Sequence, residues 1–136
     1  MKKLLPVFLL FVLNLCSNYN SDTKGLSFEQ RSINAGNVTS FIKENQPIII
    51  DVRTESEYNS EHLENAINIP YDDNTFELKI NTLEKNKFYL VHCGAGVING
   101  RSFNALKKMD QIGFQKVYNL EGGLNEWKKY KSKNSR

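Results

Sequence analysis

The strongest constraint on the fold of this chain is a pair of short apolar runs, Ile48-Ile49-Ile50 and Phe88-Tyr89-Leu90-Val91. A run this short with no polar alternation reads as a strand covered on both faces, the pattern of a parallel sheet. The first run continues into Asp51-Val52 and the second into His92-Cys93. Helical patterns lie around them. Val38 to Glu44 places Val38, Phe41 and Ile42 on one side before Pro47 breaks it; Glu55 to Asn59 makes a short turn; Phe76, Ile80 and Leu83 mark another helix. The clearest helix repeats Phe103, Leu106, Met109 and Ile112, turns Lys107, Lys108 and Asp110 outward, and closes at Gly113 before apolar Phe114. A glycine just past the last turn, followed by an apolar residue, is a common helix stop. Ala66-Ile67-Asn68-Ile69, halted by Pro70, and Val117-Tyr118 supply two more strands, and Gly122-Gly123 opens a last helix with Leu124, Trp127 and Tyr130. Trp127 reads as a core anchor. Alternating strands and helices predict an α/β three-layer fold, a central, mainly parallel sheet flanked by helices. Chemistry in such sheets collects beyond the carboxyl ends of the strands, where Asp51 and Cys93 both fall.

At 136 residues the chain has room for one domain and a leader. Met1 to Cys16 reads as an export signal. Lys2 and Lys3 give a cationic start, and Leu4 to Leu15 is apolar apart from Pro6 and Asn14. That core is too short to span a bilayer, which takes roughly 20 residues. The run ends Leu13-Asn14-Leu15-Cys16 and passes into Ser17-Asn18-Tyr19-Asn20-Ser21-Asp22. It resembles a bacterial lipoprotein signal, in which the cysteine is acylated and becomes the mature N-terminus, although Leu15 stands where a small residue is usual. The other reading is a plain signal peptide cut a few residues later. Both export the protein to the periplasm or cell envelope; the first also anchors it to a membrane through lipid on Cys16. Residues 17–27 then form a polar tether, 28–133 the folded domain and 134–136 the basic tail end. Loss of Lys2 and Lys3 takes Lys+Arg from 18 to 16 against 15 Asp+Glu, a net charge of about +1. That balance does not point to nucleic-acid binding, and no nucleic-acid partner is expected; Lys128, Lys129, Lys131, Lys133 and Arg136 read as a solvated helix end.

With Cys16 removed from thiol chemistry, Cys93 is the only free thiol of the mature chain, so it cannot belong to an intrachain disulfide. It opens the stretch Cys93-Gly94-Ala95-Gly96-Val97-Ile98-Asn99-Gly100-Arg101-Ser102, which runs into the clearest helix. A glycine-rich turn aims backbone N–H groups at one point, and a helix N-terminus adds its positive end. A thiol held there loses its proton more readily and faces anions. Neither His62 nor His92 has a partner set for a metal, and no cofactor is called for.

Taken together these residues resemble a rhodanese domain. Its first half is matched by Asp51-Val52-Arg53, Glu57-Tyr58, His62-Leu63 and Ala66-Ile67-Asn68-Ile69-Pro70. The second half is matched by Val91-His92-Cys93, Gly100-Arg101-Ser102 and Leu120 through Trp127. The resemblance covers about Phe28 to Tyr130 and implies a sulfurtransferase. Cys93 would take up sulfane sulfur as a persulfide from a small donor (thiosulfate, polysulfide or a protein persulfide) and pass it to a thiol or cyanide. Backbone donors of Gly94, Ala95, Gly96 and Gly100 would steady the thiolate and the persulfide anion, and the Arg101 guanidinium suits a paired-oxygen donor. Ser102 reads as a helix cap or a hydrogen-bond donor, the cap being the simpler role. Asp51 and Arg53 could line the pocket but read mainly as loop braces, with Arg53 free to pair with Glu57. His62 reads as a hydrogen-bonded structural residue. His92 is a poor general base, because adjacent strand residues point to opposite faces.

The loop departs from the family pattern Cys-x-x-Gly-x-Arg-Ser. Seven residues, Gly94 to Gly100, separate Cys93 from Arg101, three more than usual. Either Gly96 or Gly100 can stand for the loop glycine. Asn99-Gly100 favours a turn with positive φ, so Val97-Ile98-Asn99 is expected to swing outward, with Gly100-Arg101-Ser102 resuming the family geometry. Val97 and Ile98 would then rim the site or pack down over it. Two other functions share the fold: a sulfur carrier, redox or binding module without turnover, and phosphatase or arsenate-reductase chemistry, which uses a His-Cys-x5-Arg loop around a tetrahedral oxyanion.

Overall fold

The two apolar runs lie side by side in a five-stranded, all-parallel sheet of order β1-β5-β4-β2-β3. The computed structural model describes Thr23 and residues 25–135; the export signal, Cys16 and most of the tether lie outside them. The strands are β1 Ser32–Ile33, β2 Ile48–Asp51, β3 Ile67–Asn68, β4 Phe88–His92 and β5 Lys116–Leu120. The helices are α1 Val38–Asn45, α2 Glu55–Ser60, α3 Phe76–Ile80, α4 Arg101–Gln111 and α5 Gly123–Asn134, with a 3-10 turn at Glu29–Arg31. Among the described residues no helix is long and apolar enough to cross a membrane.

The strands' period of two divides their side chains between two cores. Ile50, Tyr89, Val91 and Val117 meet Phe76 and Ile80 of α3 and Ala105, Leu106 and Met109 of α4 on one face. Ile49, Leu90 and Leu120 meet Val38 of α1 and Leu124 of α5 on the other, with Phe41, Tyr58, Tyr118 and Trp127 packed around them. Both faces are therefore dry, and β4, central in the sheet, can be apolar throughout. Trp127 is half-buried against the second core, and Gly113 ends α4 at φ +95°. Leu83 lies beyond the end of α3 but packs against the first core.

Two features have no counterpart in the sequence reading. Ser32 and Ile33 pair with Asn119 and Leu120, adding an edge strand beside β5. Thr23, placed in the tether by composition, is fully buried, and its N–H and hydroxyl both donate to the Gln115 carbonyl at 2.6 and 2.8 Å.

Candidate active site

Register sets the site. Asp51 and His92 are paired residues at the carboxyl ends of β2 and β4, and Cys93 is the next residue. From there the chain folds around its own sulfur. The Gly96 N–H donates to Cys93 Sγ at 3.2 Å, and the Ser102 hydroxyl lies 3.3 Å from the same atom. Burial leaves Cys93 only 4% exposed and works against a thiolate. The Ser102 hydroxyl, with the N–H groups of Ser102, Gly96 and Ala95, outweighs burial and brings the thiol below its ordinary range.

Ser102 does not cap α4, contrary to the expectation from sequence. Gly100 occupies the cap position with an extended backbone and no side chain to offer. The first N–H groups of α4 therefore lack a side-chain cap, and those near Cys93 serve the sulfur instead. Arg101 is the first residue of the helix and Ser102 the second, which turns the Ser102 hydroxyl toward the sulfur.

The turn at Cys93 rests directly on the turn that starts α5. The N–H groups of Leu124 and Asn125 donate to the carbonyls of Cys93 and Gly94 at 2.9 and 3.0 Å. Gly96 (φ +57°) and Gly123 (φ +58°) face each other across this junction. A Cβ on Gly96 would fall 2.6 Å from the Gly123 nitrogen, and one on Gly123 would fall 2.6 Å from the Gly94 oxygen. Glycine at both places permits the close approach and the left-handed backbone.

The charged residues pair differently from the sequence expectation. Arg53 does not meet Glu57. Its Nε and Nη2 bind Asp51, with Nη2 at 2.7 Å from Oδ2, and Nη2 also donates to the Glu61 carbonyl. Asp51 is fully buried and lies beneath the site rather than on its wall. A buried carboxylate demands the nearest guanidinium, which takes Arg53 away from the half-buried Glu57. Glu57 instead receives Arg101 in a bidentate pair, Nη1–Oε2 2.6 Å and Nη2–Oε1 2.8 Å. The same carboxylate accepts from the N–H and hydroxyl of Thr54, each at 2.9 Å, closing a capping box at the start of α2. The hydrogen bonds from Arg101 prevail over desolvation and bring the Glu57 carboxyl down to about 2.

The histidines stand apart from the chemistry. His92 is fully buried, and burial pushes its pKa down despite Asp51 at 3.6 Å. His62 is exposed, stacked on Tyr58 with ring centroids 3.9 Å apart, and its Nδ1 lies 2.8 Å from the Tyr58 carbonyl. Among the described residues no group of three or more His, Cys, Asp or Glu side chains could hold a metal ion.

A family model described as the Rhodanese-like domain matches residues 34–130. The chain belongs to the rhodanese-like family. It is 31% identical over 106 residues to an uncharacterized protein of Buchnera aphidicola, a match covering 77% of this chain and 69% of that one. It is 33% identical over 101 residues to a tRNA uridine(34) hydroxylase of Cronobacter sakazakii, covering 70% of this chain but only 28% of that protein. An adenylyltransferase and sulfurtransferase of Debaryomyces hansenii is 33% identical over 88 residues, 60% of this chain and 19% of its own length. The chain thus spans less than a third of the length of these last two relatives. Among solved structures, a rhodanese-related protein from Thermoplasma volcanium superposes with a TM-score of 0.63 at 33% identity, covering 74% of this chain and 92% of that one.

In this rhodanese-like domain the long loop divides into two turns. Cys93 to Gly96 wraps the sulfur, and a second turn closes with the Gly100 N–H donating to the Val97 carbonyl at 3.0 Å. Asn99 sits at φ +61°, and Val97 and Ile98 point outward, 55% and 54% exposed. Beside this turn, above Cys93, opens a cleft of about 650 Å³ walled by Gly94, Ala95, Gly100 and Arg101 on the loop side and by Arg53, Glu57, Tyr71 and Asp72 opposite. Gly96 and Ser102 hold the sulfur from beneath. Among the cleft wall residues Glu57, Tyr71 and Asp72 were not recognised from sequence as part of the site; the Thr54-x-x-Glu57 spacing marks a capping box but not its second partner.

Proposed function

We propose that this domain is a sulfurtransferase whose Cys93 takes up sulfane sulfur as a persulfide and delivers it to a thiol or cyanide. The observation that carries the reading is the clasp on one sulfur atom: a hydroxyl and several N–H groups aimed at Cys93 Sγ, with the thiol brought below its ordinary range. The thiolate attacks the outer sulfur of the donor, the donor's sulfur–sulfur bond breaks, and its remaining fragment leaves with the electron pair. The same N–H groups then face the anionic terminal sulfur of the persulfide. Attack by the acceptor on that sulfur restores the Cys93 thiolate.

Membership of the rhodanese-like family and a relative named as a sulfurtransferase support this reading. The loop supports it over oxyanion chemistry, since only Cys93 to Gly96 encloses the sulfur while the next turn leads away instead of wrapping a tetrahedral ion. The leader adds a location, export to the cell envelope with Cys16 as the lipid attachment point. Incubation with thiosulfate plus cyanide tests the activity. Thiocyanate is expected from the wild-type protein and not from Cys93→Ser; equal yields from both would refute the assignment. Acyl labelling that survives Cys16→Ser would refute lipidation there.

A further inference from the structure

We infer that Glu57 selects the donor by charge, cancelling Arg101 so that the cleft disfavours dianions such as thiosulfate and favours sulfane sulfur on a carrier with no net charge. The inference rests on the sulfurtransferase reading of Cys93.

The cleft has two cationic wall residues, and both are paired. Arg53 is committed to buried Asp51. Arg101 gives both terminal nitrogens to Glu57. Glu57 is in turn fixed by two hydrogen bonds from Thr54 at the start of α2, so its carboxylate is part of a helix cap rather than a loose arm. Asp72, also on the wall, is exposed and has no ion-pair partner among the described residues. With Asp51 beneath the wall counted, three carboxylates (Asp51, Glu57, Asp72) stand against two guanidiniums, one negative charge in excess, beside a nucleophile that is itself an anion when reactive. A dianion entering the cleft meets no unpaired cation, whereas a donor without net charge carries no such penalty. The outward-facing Val97, which lines the cleft, offers apolar contact to the carbon body of an organic donor.

Both loading reactions balance. Thiosulfate gives its outer sulfur to the Cys93 thiolate and leaves as sulfite. Cysteamine persulfide, an ammonium with an anionic persulfide and no net charge, gives its outer sulfur and leaves as the cysteamine thiolate.

The test compares second-order rate constants for loading Cys93 from these two donors, read by mass spectrometry on the intact protein. The ratio of the thiosulfate to the cysteamine persulfide constant cancels any change in thiol ionisation. Glu57→Gln frees Arg101 and is expected to raise that ratio about tenfold, while Glu57→Asp, which keeps the charge, stays near wild type. Asp72→Asn, at an exposed position with no structural bond, is expected to raise it about threefold. A ratio that falls or stays within about twofold of wild type in Glu57→Gln would overturn the inference, whatever Asp72→Asn does, and leave the sulfurtransferase reading standing. Failure of both donors to load the wild-type protein would overturn the two together.

Discussion

Replacing Gly123 with alanine tests whether the active-site turn is held by its contact with the start of α5. At φ +58° an alanine carries a left-handed backbone cost of about 1–2 kcal/mol. Its Cβ would also stand 2.6 Å from the Gly94 oxygen and closer still to that of Cys93, and neither is a side chain that can swing aside. The carbonyls must retreat by several tenths of an ångström, which stretches the bonds they accept from Leu124 and Asn125, now 2.9 and 3.0 Å. Each such bond contributes about 1 kcal/mol, so the expected destabilisation is about 3 kcal/mol. Gly113→Ala is the control: its φ of +95° brings backbone strain, but its Cβ meets nothing nearer than the Lys85 side chain at 3.8 Å. It should cost about 1–2 kcal/mol. Urea denaturation gives the stabilities, and the rate of Cys93 alkylation by iodoacetamide reports the turn. Gly123→Ala should slow alkylation on the order of tenfold, because the sulfur moves against its donors. Equal stability losses in the two variants, with alkylation unchanged in both, would refute the interlocked-turn account.

Ser102→Ala removes a hydrogen bond that helps hold the Cys93 thiol down, so the pH midpoint of its alkylation should move up and the rate at neutral pH should fall. Arg53→Met leaves Asp51 buried without its guanidinium and should cost about 3–5 kcal/mol in urea denaturation. Glu57 is held down to about 2 from 4.5 by Arg101. Its contribution to stability is therefore complete above pH 4.5 and lost as pH falls toward 2. The carboxylate is 39% exposed, so the melting difference between wild type and Glu57→Gln should correspond to no more than about 1 kcal/mol at neutral pH and vanish at the acid end.

The layered fold was legible because its signals are local. Ile49 and Ile50 serve opposite cores, and so do Leu90 and Val91, which is why the runs show no polar alternation. The edge strand was not legible. Ser32 and Ile33 carry no pattern of their own and become a strand only by pairing with Asn119 and Leu120. The site shows the same divide. Glycine content and the start of a helix pointed to the turn around Cys93, and Asn99-Gly100 to the turn beyond it. The ion pairs depended on burial that sequence does not reveal. Arg53 precedes a half-buried Glu57 by one turn yet goes to Asp51, because that carboxylate is fully enclosed. Glu57 then finds Arg101, 44 residues away. Ser102 looked like a cap until Gly100 took the cap position and left its hydroxyl to the sulfur.

The central claim is that Cys93 carries sulfur. Its most direct test is the intact mass of the purified domain after brief treatment with polysulfide and removal of excess reagent. One added sulfur, ~32 Da, is expected on the peptide containing Cys93, discharged by cyanide and missing from Cys93→Ser. An unmodified Cys93, or an adduct that cyanide does not remove, would contradict the account.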